Sequence, residues 1–280
     1  MSDRFLITSP TQETVKIHNE NNLAVLKSQS KDFNELSQSI KSYLDKQKGV
    51  YSVYVYDINK NQSLGIHEAT IYTAASINKI PILAALYYET QRGVIDLDKR
   101  ITIQQSDLQD YGTGILRNEG PGGVYSFKTL AQFMMEKSDN TAAFIITQTV
   151  GDARIQELIN SWNMLQTDFE NNKTSNKDMA ALLIKMYQGK IANQALSQEM
   201  IGFLDNSDFE NRLPRLLPKD VKIYHKIGNE TGFVHDVGIV ALPNSPYYIG
   251  VLSSEITVEE EAEETIAQIS KLTYDFMINR

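Results

Sequence analysis

From Ile80 to Tyr88 the chain carries no charged side chain, and this run follows directly on Thr73-Ala74-Ala75-Ser76-Ile77-Asn78-Lys79. A helix without a wet face must be surrounded by protein on most sides, so the segment predicts a central helix on which other elements pack. Pro81 belongs near its start. Mid-helix a proline costs about 3 kcal/mol, whereas in the first turns it removes only an orphan amide or the bond to Ile77. On a helix opening near Ser76, Ser76 and Lys79 are three residues apart on one face, so hydroxyl and amine can meet. A serine alcohol is a weak nucleophile until a neighbouring base takes its proton. Lysine becomes that base when burial disfavours the ammonium and draws its pKa toward neutrality. The apolar run supplies the burial. Ser28-Gln29-Ser30-Lys31 has the same spacing in a polar stretch with nothing to desolvate its lysine, so the spacing alone carries no chemistry.

The chain has 280 residues, 41% of them hydrophobic and 22% charged, which is room for one domain or two interleaved lobes with a large core. Its 27 basic and 35 acidic side chains give a formal charge of −8 without a Lys/Arg block, which argues against a nucleic-acid partner. The absence of cysteine excludes disulfides, thiolate metal sites and a cysteine nucleophile, and leaves the compartment open. No apolar run approaches the roughly 18 residues of a membrane span. Met1-Ser2-Asp3-Arg4 does not lead into a signal-peptide core, so the chain is expected to be made without one or to begin after it.

Residues 1–32 are polar and aperiodic and are expected to form a flexible N-terminal arm. Phe33, Leu36, Ile40, Tyr43 and Leu44 then recur at helical spacing, with Asp32 as N-cap. The period changes to two in Val50 to Asp57, and Asn59-Lys60-Asn61 turns that strand into another near Ser63 to His67. The central helix ends near Gln91-Arg92-Gly93. Ile101 to Phe127 reads as loop, broken by Tyr111-Gly112-Thr113-Gly114 and Gly120-Pro121-Gly122-Gly123; loops of that length in a compact domain are often functional. Helices are expected from Ser126 to Val150 with a kink at Lys137-Ser138-Asp139-Asn140, then over Asp152 to Trp162, Asn176 to Gln188 and Leu196 to Leu204. Strands return at Lys222 to Gly228, Phe233 to Leu242 and Tyr247 to Ser253, and Glu259 to Ile278 closes the chain as a helix. The first and last strands must share a sheet with the helical block between them in sequence. This gives an α/β (α+β) domain over 33–280, with an α/β lobe of 33–73 and 218–280 and a helical lobe of 74–217.

Ser138-Asp139-Asn140 lies between two helical patterns, where an N-cap for the next helix explains all three residues. Lys226-Ile227-Gly228 sits on a late strand, and a lone lysine before a glycine is nothing in itself. Joint occurrence and order raise both: S-x-x-K at a buried helix start, S-D-N at an interhelical kink, K-x-G on a strand. With these motifs the sequence resembles the penicillin-recognising serine enzymes, class A β-lactamases and penicillin-binding proteins, over roughly residues 33 to 280. Lys177 to Leu183 looks like the helix after that family's Ω loop, and Asp236 to Val240 like the strand behind its active site. The resemblance implies a β-lactamase/DD-peptidase-like fold: a mixed, mostly antiparallel sheet flanked by helices, beside an all-helical lobe.

The same resemblance implies the roles. Ser76 would be the acylated nucleophile and Lys79 its proton partner, with Ser138 passing a proton to the leaving nitrogen. Asn140 would hold the substrate amide and Lys226 would face the substrate carboxylate. Gly228 lies between that lysine and Asn229, whose backbone amide would form the oxyanion hole with that of Ser76. Acyl transfer needs those groups on chemical grounds: an activated hydroxyl, a proton donor for the amine, and donors where negative charge develops. The implied reaction is hydrolysis of β-lactams through an acyl-enzyme, or DD-peptidase action on peptidoglycan D-Ala-D-Ala ends, outside the cytoplasmic membrane, by a monomer with no cofactor or metal. A non-catalytic wall-peptide or β-lactam binder is the rival from another class.

Two departures keep that rival alive. Ile227 stands where the family has a hydroxyl residue, which removes a hydrogen bond worth roughly 1.5 to 3 kcal/mol to a charged partner. Leu165 to Asn172 is far shorter than the Ω loop of class A β-lactamases, so the glutamate that directs their deacylating water has no clear counterpart; Glu170 is a candidate only by its nearness, and slow deacylation is expected. His225 and His235 flank the lysine strand, but without a G-x-S-x-G elbow or a third metal ligand they read as structural.

Overall fold

The computed structural model describes residues 33–280, and the expected arm and its Asp32 cap lie outside them. β-Branched and aromatic residues make strand β1 (Val50–Asp57), which turns back into β2 (Gln62–Ile66). The Asp57 carboxylate accepts the backbone amides of Asn59 and Lys60 at 3.1 and 2.9 Å, and Asn61 takes the left-handed conformation that the turn demands. The chain returns to this sheet after the helical block as β7 (Ile223–Glu230), β8 (Phe233–Val240) and β9 (Tyr247–Ser254). The order is β2-β1-β9-β8-β7, and every pairing in it is antiparallel, so the expected mixed sheet is wholly antiparallel.

Both faces of the sheet are covered, and its period of two sorts residues between two cores. Val53, Val55, Ile249 and Val251 pack with Leu36 and Ile40 of helix α1 (33–44) and with Ile266 and Ile269 of the C-terminal helix, Glu259–Ile278. Val237, Ile239, Tyr248 and Leu252 point the other way, into the core built on α2 (Lys79–Gln91). In α2 every residue from Lys79 to Tyr87 is buried, as the missing charge requires. The first charge after the run, Glu89, is buried too and meets Arg154 at 2.7 Å and Arg92 at 3.2 Å.

Around α2 stand α4 (Phe127–Glu136), α5 (Asn140–Val150), α6 (Asp152–Ser161), α7 (Asn176–Tyr187) and α8 (Gln194–Gly202), close to the expected bounds; α9 is Glu259–Ile278 as expected. Asn176 bolts α7 to the sheet: its side chain donates to Gly250 O at 2.9 Å and accepts from the Tyr248 hydroxyl at 2.7 Å. The long loop is more regular than its breakers suggest. It holds a ribbon of β4 (Arg100–Thr102) with β5 (Val124–Ser126) and the single turn α3 (Leu116–Glu119). A second ribbon pairs β3 (Ile71–Thr73) with β6 (Lys173–Ser175), and neither strand is long enough to show a period in the sequence. Among the described residues no helix is long and apolar enough to cross a membrane.

Candidate active site

Ser76 does not open an α-helix. It lies in a tight 3-10 turn, Ala75–Asn78, that leads into α2, and Ala75 before it is held at φ +48°. The β3–β6 ribbon presents this turn, with Ala74 donating its amide to Asn172 O at 2.8 Å. The expected meeting of hydroxyl and amine is present: Lys79 Nζ lies 2.9 Å from Ser76 Oγ. The same amine reaches Ser138 O at 2.9 Å, Ser138 Oγ at 3.2 Å and Asn140 Oδ1 at 2.6 Å. Burial lowers the Lys79 pKa to about 7 against the opposing pull of the Asp139 carboxylate.

The N-cap reading of Ser138-Asp139-Asn140 holds for one member of the three. Asp139 caps α5 by accepting Ala142 N at 2.9 Å, and its other oxygen takes the amides of Ile115 and Leu116 at 2.7 and 2.9 Å. That leaves Ser138 and Asn140 free to face the cleft on either side of the cap. Ser138 sits at φ +53°, an unfavourable region for a residue with a Cβ, held there by Thr113 Oγ1 donating to its carbonyl at 2.9 Å. Asn140 Nδ2 donates to Tyr111 O at 3.0 Å. The Tyr111-Gly112-Thr113-Gly114 loop thus forms one wall of the cleft, a part that its glycines hinted at but did not specify.

The sheet contributes the opposite wall. Lys226 is 1% exposed and does not line the open cleft; its amine donates to Ser138 Oγ at 2.9 Å and to Ile227 O at 3.2 Å. Burial, and next the nearby charge of Lys79, push its pKa well below the ordinary lysine value. Gly228 explains how the strand closes on the turn: a Cβ there would lie 3.0 Å from Ala74 O and 3.3 Å from Ile77 N. Without a Cβ at Gly228, β7 runs close against the segment carrying Ser76, which sets Asn229 beside it. Burial lowers the His235 pKa to about 4; it is neutral, with Nδ1 accepting from Ser253 N at 3.1 Å and Nε2 facing Thr73 O at 2.8 Å. His225 is buried, which opposes its charge, yet Asp236 at 2.9 Å carries its pKa up to about 9. Both histidines tie strands together.

The cleft encloses about 1000 Å³ and is lined by Ser76, Lys79, Ser138, Asn140, Ile227 and Asn229 among others. Glu170 is not brought to it. Its side chain is exposed, and the loop's member of the lining is Asn172. Arg212 is one of the lining residues that sequence reasoning missed. It stands alone in an aperiodic stretch, and only its burial at 1% exposure among oxygen partners marks it.

A buried lysine on a serine, a second serine bridging two lysines, and a glycine-backed strand beside the first serine make an arrangement suited to acyl transfer through serine. The profile of the β-lactamase enzyme family matches residues 35–277, and the chain belongs to that family. β-Lactamase VEB-1 of Pseudomonas aeruginosa is 24% identical over 274 residues, covering 88% of this chain and 91% of that protein. The structure of PBP-A superposes with a TM-score of 0.82 at 26% identity over 88% of this chain and 97% of that one. A mutant of PBP-A, solved as an acyl-enzyme complex with penicillin G, has the same TM-score at 25% identity and the same coverage of both chains. The chain is a serine hydrolase of the β-lactamase/DD-peptidase type.

Proposed function

We propose that Ser76 forms an ester with β-lactams, and with the D-Ala-D-Ala peptides they mimic, and that the ester is released slowly. The observation that carries this reading is the 2.9 Å contact of Lys79 Nζ with Ser76 Oγ, made by an amine whose pKa is about 7. At neutral pH a large share of Lys79 is uncharged and can accept the serine proton as Oγ attacks the carbonyl carbon. The backbone amides of Ser76 and Asn229 receive the developing oxyanion. As the C–N bond breaks, Ser138 gives its proton to nitrogen and recovers one from Lys79, 3.2 Å away. The amide has become an ester, the departing amine carries the proton that Ser138 gave, and Ser138 is restored with one from Lys79, which had taken the Ser76 proton.

Slow release is inferred from the carboxylates. Those lining the cleft, Asp152, Glu230, Glu259 and Glu263, come from α6, β7 and α9, and none comes from the segment 163–173. The penicillin acyl-enzyme of a PBP-A mutant supports the same chemistry here, and peptide donors beside β-lactams follow from the resemblance of the three motifs to those of the DD-peptidases. Such donors lie outside the cytoplasmic membrane, where this reading places the protein, acting as a monomer. Incubation with a fluorescent penicillin followed by intact-mass measurement tests it. One covalent adduct is expected, lost in Ser76→Ala and retained at a reduced rate in Ser138→Ala. No adduct at millimolar penicillin would overturn the reading in favour of a non-catalytic binder.

A further inference from the structure

The cleft does not end at Asn140. Asn140, Ala143, Phe144, Thr147 and Gln148 all line it, and they recur at the three- and four-residue spacing of one helix face. At a rise of about 1.5 Å per residue that face of α5 runs about 12 Å from Asn140 to Gln148. Gly151 then ends the helix at φ +92°, and Asp152, the first residue of α6, completes the lining beyond Gln148. The segment 163–173 reaches the cleft only through Asn172, so it leaves this face of α5 open.

The groove changes character along its length. Ala143 is buried and Phe144 half-buried, so the part nearest Asn140 is apolar. Thr147 and Gln148 follow, and their side chains make no hydrogen bond among the described residues. Asp152 is the charged member of this stretch, exposed and without a partner among the described residues. Arg154, the basic residue nearest to it in sequence, is held by Glu89 and Glu157 at 2.7 Å each. At the other end of the face Lys79 is held by Ser76, Ser138 and Asn140. An apolar stretch, then free polar groups, then an unpaired carboxylate suits a long chain that carries a cation at its tip.

We propose that this groove is a subsite for the acyl part of the donor and selects acyl groups that end in an ammonium about 10–13 Å from the scissile carbonyl. Asp152 is its specificity-determining residue. The assignment rests on acyl transfer to Ser76 and on Asn140 as the holder of the substrate amide, which puts whatever lies beyond Asn140 on the acyl side. The leaving group is not discriminated here, so penicillins and D-Ala-D-Ala peptides both remain donors.

D-Alanyl thioesters of thioglycolate test this, because all release the same thiol and differ only in the group on the alanine nitrogen. The long donors carry 6-aminohexanoyl, whose ammonium lies about 11 Å from the scissile carbonyl when extended, its N-acetyl derivative, or adipoyl, which ends in a carboxylate. The short pair carries glycyl, with its ammonium at about 6 Å, or N-acetylglycyl. Second-order acylation rates are taken from thiol release and intact mass. The aminohexanoyl donor should acylate about threefold to fivefold faster than its N-acetyl counterpart, the range that an exposed ion pair supports, and the adipoyl donor should be the slowest of the three. The short pair should agree within about twofold, since neither reaches Asp152. Asp152→Asn should bring the aminohexanoyl donor down to its N-acetyl counterpart, and Asp152→Lys should put the adipoyl donor ahead, with thermal midpoints confirming that both variants fold. Equal rates for the long donors, a preference that survives Asp152→Asn, or the same preference within the short pair would overturn the proposal. If neither the thioesters nor a penicillin acylated Ser76, the acyl-transfer reading would fall and the subsite with it, whereas acylation without these differences would remove the subsite alone.

Discussion

The amine of Lys79 lies 2.6 Å from the side-chain oxygen of Asn140, closer than its 2.9 Å contact with Ser76. That contact sets the Asn140 amide with oxygen toward the lysine and nitrogen toward Tyr111 O, which leaves one N–H of the amide for substrate. It also stabilises the protonated amine, yet burial still holds the Lys79 pKa near 7.

The pH dependence of acylation follows from that value. The attacking serine needs an uncharged Lys79, and a lysine with a folded pKa lowered to about 7 loses its proton as the pH rises through 7. Rates of adduct formation with a penicillin should therefore climb between pH 6 and 8 with an apparent pKa of about 7. A profile flat over that window would show that Lys79 is not the base.

Asp139 connects cap to base. Its carboxylate accepts three backbone amides and is the charge that raises the Lys79 pKa against burial. Asp139→Asn removes the charge and turns a donor toward backbone amides, which should destabilise the fold by about 1–3 kcal/mol in denaturant unfolding. In the fraction that stays folded the Lys79 pKa should drop, moving the rising limb of acylation below pH 7. A limb shifted upward would refute the electrostatic link.

Gly228→Ala places a methyl group 3.0 Å from Ala74 O and 3.3 Å from Ile77 N, closer than a relaxed contact. The strand must retreat by a few tenths of an ångström from the turn that carries Ser76. Misplacement by about 1 Å can cost about 10²-fold, so acylation should fall roughly tenfold while the thermal midpoint changes little. Unchanged acylation would mean that the approach of β7 does not align the oxyanion donors.

Stopped-flow with a chromogenic β-lactam should show a burst near one equivalent followed by slow release. A positioned general base is typically worth about 10² to 10⁴ in rate, and the segment 163–173 supplies no carboxylate to the cleft lining. Because Glu170 is exposed and outside that lining, Glu170→Gln should leave the slow phase as it is. A sharp fall on that substitution would assign the base to Glu170 after all.

The sequence was legible where local pattern and tertiary demand agree. Val50–Asp57 is almost continuously β-branched and aromatic because it is a strand within a sheet covered on both faces, and the charge-free run of α2 reflects burial on all sides. The pairing of Ser76 with Lys79 survived even though the turn proved to be 3-10, since three residues separate them in either helix. Other features were silent because their cause is distant. β3 and β6 exist only as partners of each other, the backbone of Ser138 is held by Thr113 from a separate loop, and the inward turn of Lys226 depends on Ser138. Arg212 has no local pattern at all, since its oxygens come from β7, β8 and α9.

The order β2-β1-β9-β8-β7 has a temporal meaning as well as a spatial one. On a ribosome β1 emerges before the helical block, yet the neighbour that covers one of its edges, Tyr247–Ser254, is the last of the described strands to be synthesised. Until then the nascent chain carries an open strand edge and the uncovered apolar face of a two-stranded hairpin, the features that invite mispairing with other chains. The wall made by Lys226 and Gly228 also comes late. Ser76 is therefore translated long before its cleft is complete, which happens only when the strands from Ile223 onward close beside it.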